Sequence, residues 1–268
     1  MKRIFLLVIA SLMMVASSAF GGTMSDVVKK VKAFNNINIV GNINVVYEQG
    51  GDYEVRLPQE IQSSIEVEVK KSSLNLYPKS SVKSRVGGIN YVSTDLPDGV
   101  TIYVKAPSVK SFNIAGSGSV SVDNMTAKNV TFNVAGSGNS TIKNLSADDI
   151  SFSVAGSGDI DASGVKGGKV SLNVAGSGEI KAKIGQASNL GCSVAGSGEI
   201  TVSGKTDKYS KSIYGSGSIN DGSLKYSSMS QSSVDYGNDG NVEYNGLNIN
   251  IRNNSNTPRS VNGILSNP

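Results

Sequence analysis

Ala115-Gly116-Ser117-Gly118 returns at Ala135, Ala155, Ala175 and Ala195, always twenty residues on. A sixth copy, Tyr214-Gly215-Ser216-Gly217, follows nineteen residues after the fifth, with Tyr in place of Ala. Self-similarity at a fixed period of this length is the mark of a solenoid, in which each repeat is one unit stacked on the next. Counting from each Ala, apolar residues fall at constant offsets. Five residues on lie Val120, Ser140, Ile160, Ile180 and Ile200, the serine being the odd member. Seven on lie Val122, Ile142, Ala162, Ala182 and Val202, and fifteen on lie Val130, Ile150, Val170 and Leu190. Phe132, Phe152, Leu172 and Cys192 come two later, and Ile114, Val134, Val154, Val174 and Val194 immediately precede the Ala. Spacing of two within each group predicts strands, and shared offsets predict that they stack.

Two or three short strands per twenty residues fit one coil of an all-β fold, a right-handed parallel β-helix with coils ~4.8 Å apart. One coil cannot fold alone. Its five or six inward side chains contribute about 1.5–3 kcal/mol each on burial. Ordering its backbone costs about 1–2 kcal/mol per residue. Stacking must supply the rest, and the two ends of the stack must be closed.

Around this core the chain divides into five parts. Residues 1–22 carry Lys2 and Arg3, an apolar run over 4–15 and small residues Ser17, Ser18 and Ala19, the layout of a signal peptide. That predicts export to the periplasm, the cell surface or the medium. No cysteine follows the run to anchor a lipoprotein, and no transmembrane segment is expected in the mature form. Residues 34–110 read as strands that cap the coils. Ile37, Ile39, Ile43 and Val45 alternate with Asn36, Asn38, Asn42 and Asn44, and Gln49-Gly50-Gly51-Asp52 predicts a hairpin into Tyr53, Val55 and Leu57. Ahead of them 25–32 reads as a helical turn, and 80–94 reads as a loop. The coils occupy 111–220. Beyond Gly217 the repeat decays, with C-terminal strands over 221–252 (Val242, Tyr244, Leu247, Ile249, Ile251) and a disordered Asn/Ser/Pro-rich tail over 253–268.

Composition narrows the chemistry. Lys and Arg number 25 against 21 Asp and Glu, with Lys2 and Arg3 inside the leader, so the exported form is nearly neutral and carries no nucleic-acid footprint. Histidine is absent, which removes the commonest general base and zinc ligand together. Cys192, the one cysteine, reads as a buried filler in the Phe132 column. Gly-Ser-Gly resembles a phosphate loop only superficially, because no Lys-Ser/Thr follows at the required spacing. Its reading here is a corner that uses glycine's freedom.

Two outward columns hold the candidate site residues. Asn113, Asn133 and Asn173, completed by Ser153 and Ser193, either bond to one another along the stack or face a glycan, the first being preferred. Asp159, Glu179 and Glu199 follow Ser119 and Asn139 at coil spacing. Their mutual repulsion makes them a Ca²⁺ candidate, with Lys181 as the alternative neutraliser.

The segment from Phe34-Asn35-Asn36-Ile37 through Gly41-Asn42-Ile43-Asn44-Val45-Val46 and Gln49-Gly50, followed by a strand pair and Gly-Ser-Gly coils, resembles a bacterial family. That family is described as putative auto-transporter adhesin, head GIN domain, and the resemblance runs over 34–219. It implies a secreted or envelope-associated β-helical protein, with no family catalytic residues to carry over; lipid binding has also been suggested for members. The residues after Tyr236 do not show the alternating strands of a transporter barrel. The expectation is a non-catalytic, adhesin-like protein without cofactor, presenting a flat face to a glycan, lipid or protein. The alternative is a β-helical carbohydrate-active enzyme, a lyase or hydrolase, which would gather carboxylates with Lys or Arg in one concavity.

Overall fold

A computed structural model describes residues 26–79, 81–86, 89–93, 99–236 and 242–243. In chain order the strands are β1 (Asp26–Lys30), β2 (Asn36–Gly41), β3 (Asn44–Gln49), β4 (Glu54–Pro58), β5 (Ile65–Lys70) and β6 (Ser73–Pro78). Then come β7 (Ser81–Val86), β8 (Ile89–Ser93), β9 (Thr101–Ala106) and β10 (Ser111–Gly116). The long strands are β11 (Ser119–Gly136), β12 (Asn139–Gly156), β13 (Asp159–Gly176), β14 (Glu179–Gly196), β15 (Glu199–Tyr214) and β16 (Ser218–Tyr236), with β17 (Val242–Glu243) last. The only helical element among the described residues is a 3-10 turn, Gln59–Ile61.

Strands β10 to β16 pair in parallel, each on the next, in the register the twenty-residue period predicts. The chain is a β-solenoid. Each coil bends where two consecutive residues face solvent, at Asp123-Asn124 and at Lys128-Asn129 in β11. Strand pairing runs over 119–122, 124–127 and 129–136, so the coil has three faces. The third corner is Gly-Ser-Gly. Gly136 has φ +122, open to glycine alone, and a Cβ there would lie 2.5 Å from the Gly116 carbonyl oxygen of the coil below. A Cβ on Gly138 would lie 2.5 Å from the Gly118 oxygen. One glycine supplies the turn and the other the close stacking.

The leading segment contributes two further coils. Strands β2 and β3 stack on β10 and on the start of β11, with Gly41 opposite Gly116 and Asn44 opposite Ser119. Gly41-Asn42-Ile43-Asn44 is thus a Gly-Ser-Gly corner in which Ile43 replaces the second glycine. Below β2 and β3 lie β6 and β9, again parallel and in register. At that corner the chain leaves the stack for the β7–β8 hairpin, so no coil crowds Ile43 from below. In the stack the β2/β3 coil therefore lies between β6/β9, which follow it in sequence, and β10/β11. Strands β5, β4 and β1 add antiparallel on the outer side and close this end. Gln49 fills the middle face that this short coil lacks. Its amide donates to the Thr126 carbonyl and accepts from the Thr126 N–H, both at 2.8 Å, as a neighbouring strand would.

Several expectations are corrected. The predicted turn of helix at 25–32 includes strand β1, paired with β4; its valines favour an extended chain. The hairpin predicted across Gln49-Gly50-Gly51-Asp52 does not form, because both edges of β3 are already taken by β11 and β9, and β4 joins β9 instead. The loop at 80–94 includes the β7–β8 hairpin. Repeat decay after Gly217 is decay of sequence only, since β16 makes another full coil. The missing residue of the nineteen-residue step lies at the Ile184/Ala187 register shift, opposite Gly204 and Thr206, and not beside Tyr214. Residues 1–25, including the predicted leader, lie outside the described residues, as do the tail and the C-terminal strand residues beyond 243.

The core is one column-built cluster from Phe34 to Leu224. Phe112 and Phe132 stack with centroids 4.5 Å apart, Phe152 meets Phe132 edge-on at 5.7 Å, and Tyr47, from the Val122 column, meets Phe112 edge-on at 5.2 Å. Its hydroxyl donates to the Ala106 carbonyl at 3.0 Å; burial pushes its pKa up to about 12. Ser140, the odd member of its column, is buried with its hydroxyl unpartnered.

Candidate functional site

The face built by β2, β10 and the last third of each long coil presents two outward columns. One reads Ser73, Asn36, Ser111, Thr131, Ser151, Ser171, Gly191, Ser210 and Ser230 in register. The other, two residues along each strand, reads Asn75, Asn38, Asn113, Asn133, Ser153, Asn173, Ser193 and Ser212. Alternation forces both outward, because the residue between them is a core residue in most coils. The result is an uncharged array of hydroxyls and amides at ~4.8 Å spacing along the stack.

Within it the amides form a ladder. Asn133 donates to Asn113, Asn113 to Asn38 and Asn38 to Asn75, each at 2.8 Å. Two of the three candidate asparagines, Asn113 and Asn133, are therefore engaged along the stack. Asn173, between serines, is exposed and outside that ladder. Asn38 and Asn75 escaped the sequence reading because they fall outside the twenty-residue period. The tripeptides Asn36-Ile37-Asn38, Ser73-Leu74-Asn75 and Ser111-Phe112-Asn113 carried the signal.

Asp159, Glu179 and Glu199 do stack in one column. Each carboxylate has its own local partner. Asp159 accepts from the Glu179 N–H at 3.2 Å, Glu179 pairs with Lys181 at 2.7 Å, and Glu199 accepts from the Thr201 hydroxyl at 3.3 Å. The Glu179 hydrogen bond and charge hold the Lys181 ammonium above its usual pKa. Among the described residues no three acidic or sulfur ligands converge on a point where a metal ion could sit.

An ion pair enters the interior at the trailing end. In the Phe112 column, Leu172 is followed by Cys192 and then Lys211. Lys211 pairs with Asp221 at 2.8 Å, with side chains 15% and 21% exposed. Burial pushes the Asp221 carboxyl upward, but the hydrogen bond and charge of Lys211, with the Tyr209 hydroxyl close by, outweigh it and hold the group below its ordinary value. Burial also drives the Cys192 thiol up to about 12, which leaves it protonated and inert. The Tyr209 hydroxyl lies beside Cys192 and Asp221 without a well-aligned bond to either, and its burial raises its pKa.

The outer troughs lie on and beside the uncharged face. One of about 660 Å³ runs past Lys169, Asn189, Gly191, Lys208 and Ser210, and another of about 450 Å³ past Gly191, Ser212 and Tyr214. A third, of about 370 Å³, leads into the first past Asn129, Asp149 and Ser151. Among the described residues no helix is long and apolar enough to cross a membrane.

Stacked coils with outward polar ladders define a β-solenoid. The chain belongs to the family described as putative auto-transporter adhesin, head GIN domain, which it matches over residues 33–220 and again over 163–246. A crystal structure of a putative adhesin from Bacteroides fragilis is similar, with TM-score 0.61 and 24% identity over 80% of this chain and 95% of that one. A putative lipid binding protein from Parabacteroides distasonis aligns with TM-score 0.56 and 26% identity over 75% of this chain and 97% of the other. A putative adhesin from the same organism gives TM-score 0.55 at 21% identity, over 80% and 95%. No curated protein matches the chain.

Proposed function

We propose that this chain is an exported, non-catalytic binding protein of the bacterial envelope or surface, and that the uncharged hydroxyl and amide face holds a glycan. The observation that carries this reading is the in-register pair of outward columns running from Ser73 and Asn75 to Ser230 and Ser212. A regular row of donors and acceptors suits a ligand that is itself regular and rich in hydroxyls. The names of the family and of two structural relatives, which speak of adhesins, support a surface or secreted role. The basic and apolar leader over 1–22 supports export. Carboxylates spread by period, each with a local partner, support a role without catalysis.

Lipid binding, in the name of one relative, calls for a continuous apolar surface. Among the described residues the exposed large apolar side chains are Val40, Tyr103, Tyr214 and Tyr226. They occupy different columns, or opposite ends of one column.

The test is a glycan array and lipid vesicles probed with the mature chain and with a Ser151→Arg/Ser171→Arg variant, which crowds the face without touching the core. Glycan binding by the parent that disappears in the variant is expected. Vesicle binding alone, or glycan binding unchanged by the two arginines, would overturn the reading.

A further inference from the structure

The uncharged face changes character over its trailing coils. In the column at its edge, Asn129, Asp149, Lys169, Asn189, Lys208 and Ser228 stand in register. Asp149 is within 3.3 Å of the Asn129 amide nitrogen when that amide is turned toward it. Lys169 and Lys208 are exposed, and neither ammonium forms an ion pair with a described residue, whereas Lys143, Lys181 and Lys211 all do. Between the two free lysines the neighbouring hydroxyl column is interrupted by Gly191. A Cβ there would meet only the Ser210 hydroxyl, at 3.4 Å, so the missing side chain leaves a notch in the trough.

We infer that this track holds an extended acidic polysaccharide with a carboxylate on alternate sugars, laid along the solenoid axis. Two coils separate Lys169 from Lys208, about 10 Å along the stack. That is close to the length of a disaccharide in an extended chain, so each ammonium meets one carboxylate. Ammonium-to-carboxylate hydrogen bonds are the stronger kind, and here neither cation must first be freed from an internal partner. The sugar between them sits over the Gly191 notch, where the Ser171 and Ser210 hydroxyls and the Asn189 amide face its hydroxyls.

This inference deepens the glycan reading and rests on it. A hyaluronan decasaccharide, with one carboxylate per disaccharide, and its carboxyl-reduced neutral form serve as probes for titration calorimetry with the mature chain. The acidic form is expected to bind on the order of tenfold tighter, with the difference shrinking as salt rises. Lys169→Gln/Lys208→Gln is expected to abolish that difference. Lys143→Gln, on another face, is expected to change nothing, and melting curves show that each variant is folded.

Equal binding of the two forms would overturn the inference and leave the glycan reading standing. So would a Lys143→Gln effect as large as that of the track lysines. Failure of both probes while neutral glycans bind on the array has the same meaning. Failure of every glycan would sink both.

Discussion

The two halves of the stack solve the same problem with different interiors. From β2 to β12 the column opposite the hydroxyl face is filled by Ile37, Phe112, Phe132 and Phe152, and the parallel register of these strands is unbroken. From β14 to β16 the same column reads Cys192, Lys211 and Gln231, and each of the last three pairings contains a register shift. Outside, both halves keep the same corners and columns. The corner geometry therefore belongs to the backbone, and the interior of a coil can change chemistry without losing its place in the stack. What the leading half gains in aromatic packing, the trailing half replaces with an ion pair across the interior near the end of the apolar core.

If the corner is common to both halves, its glycines should be equally intolerant in each. Gly136→Ala and Gly196→Ala, both at positive φ with a carbonyl oxygen of the coil below within 2.7 Å of the added carbon, should each cost about 3–5 kcal/mol or prevent folding. Gly51→Ala, whose Cβ would meet nothing within 4 Å, should leave the denaturation midpoint nearly unchanged. Similar losses at 136 and 196 sharpen the comparison, and a tolerant 196 breaks it.

The interior should respond unequally. Phe132→Ala should cost about 3–5 kcal/mol in chemical denaturation, against about 1–2 kcal/mol for Cys192→Ala, because the smaller side chain leaves a smaller cavity.

Asp221→Asn should cost about 2 kcal/mol near neutral pH by stranding the Lys211 ammonium at a mostly buried site. The folded carboxyl lies below its ordinary 3.8, so its contribution is fully present above that value and is lost as pH falls through the lower folded value. The acid limb of stability against pH should accordingly be shallower in Asp221→Asn than in the parent. Parallel limbs would show that the pair is not what the trailing coils rely on.

The smallest effect should be a gain. Ser140→Val restores the apolar column and removes an unpartnered buried hydroxyl, and should stabilise by about 1 kcal/mol. A loss there would mean that the leading half is less uniformly apolar than it looks.

Much of this was legible in the sequence, because the coils obey a constant period. Every apolar offset counted from the Ala of Ala-Gly-Ser-Gly falls on an inward column. Where the period fails, so did the reading. Gly41-Asn42-Ile43-Asn44 is a corner in disguise, hidden because Ile43 takes the place of a glycine that only a coil beneath would require. The hairpin expected after Gln49 was sound turn chemistry, overruled by competition for the edges of β3. In the candidate site the amide column was visible through Asn113 and Asn133, but not its continuation to Asn38 and Asn75. The free state of Lys169 and Lys208 was invisible, since pairing depends on which neighbours lie within reach across coils. Sequence offsets show columns; they do not show who in a column is already engaged.

The β2/β3 coil comes first in sequence and has a neighbour on each side, β6/β9 beneath it and β10/β11 above. Joining β10 to it links residues 75 apart, as in Asn113 and Asn38, whereas each later coil links residues about 20 apart. Closing the longer loop costs only about 1 kcal/mol more, because closure entropy rises with the logarithm of length. It is incurred once, after which every added coil repeats the same short step. A chain cut after Ala106 would keep this coil and both strands beneath it, and a chain lacking residues 36–49 would keep all the Gly-Ser-Gly coils but lose the strands on which β10 and the start of β11 stack.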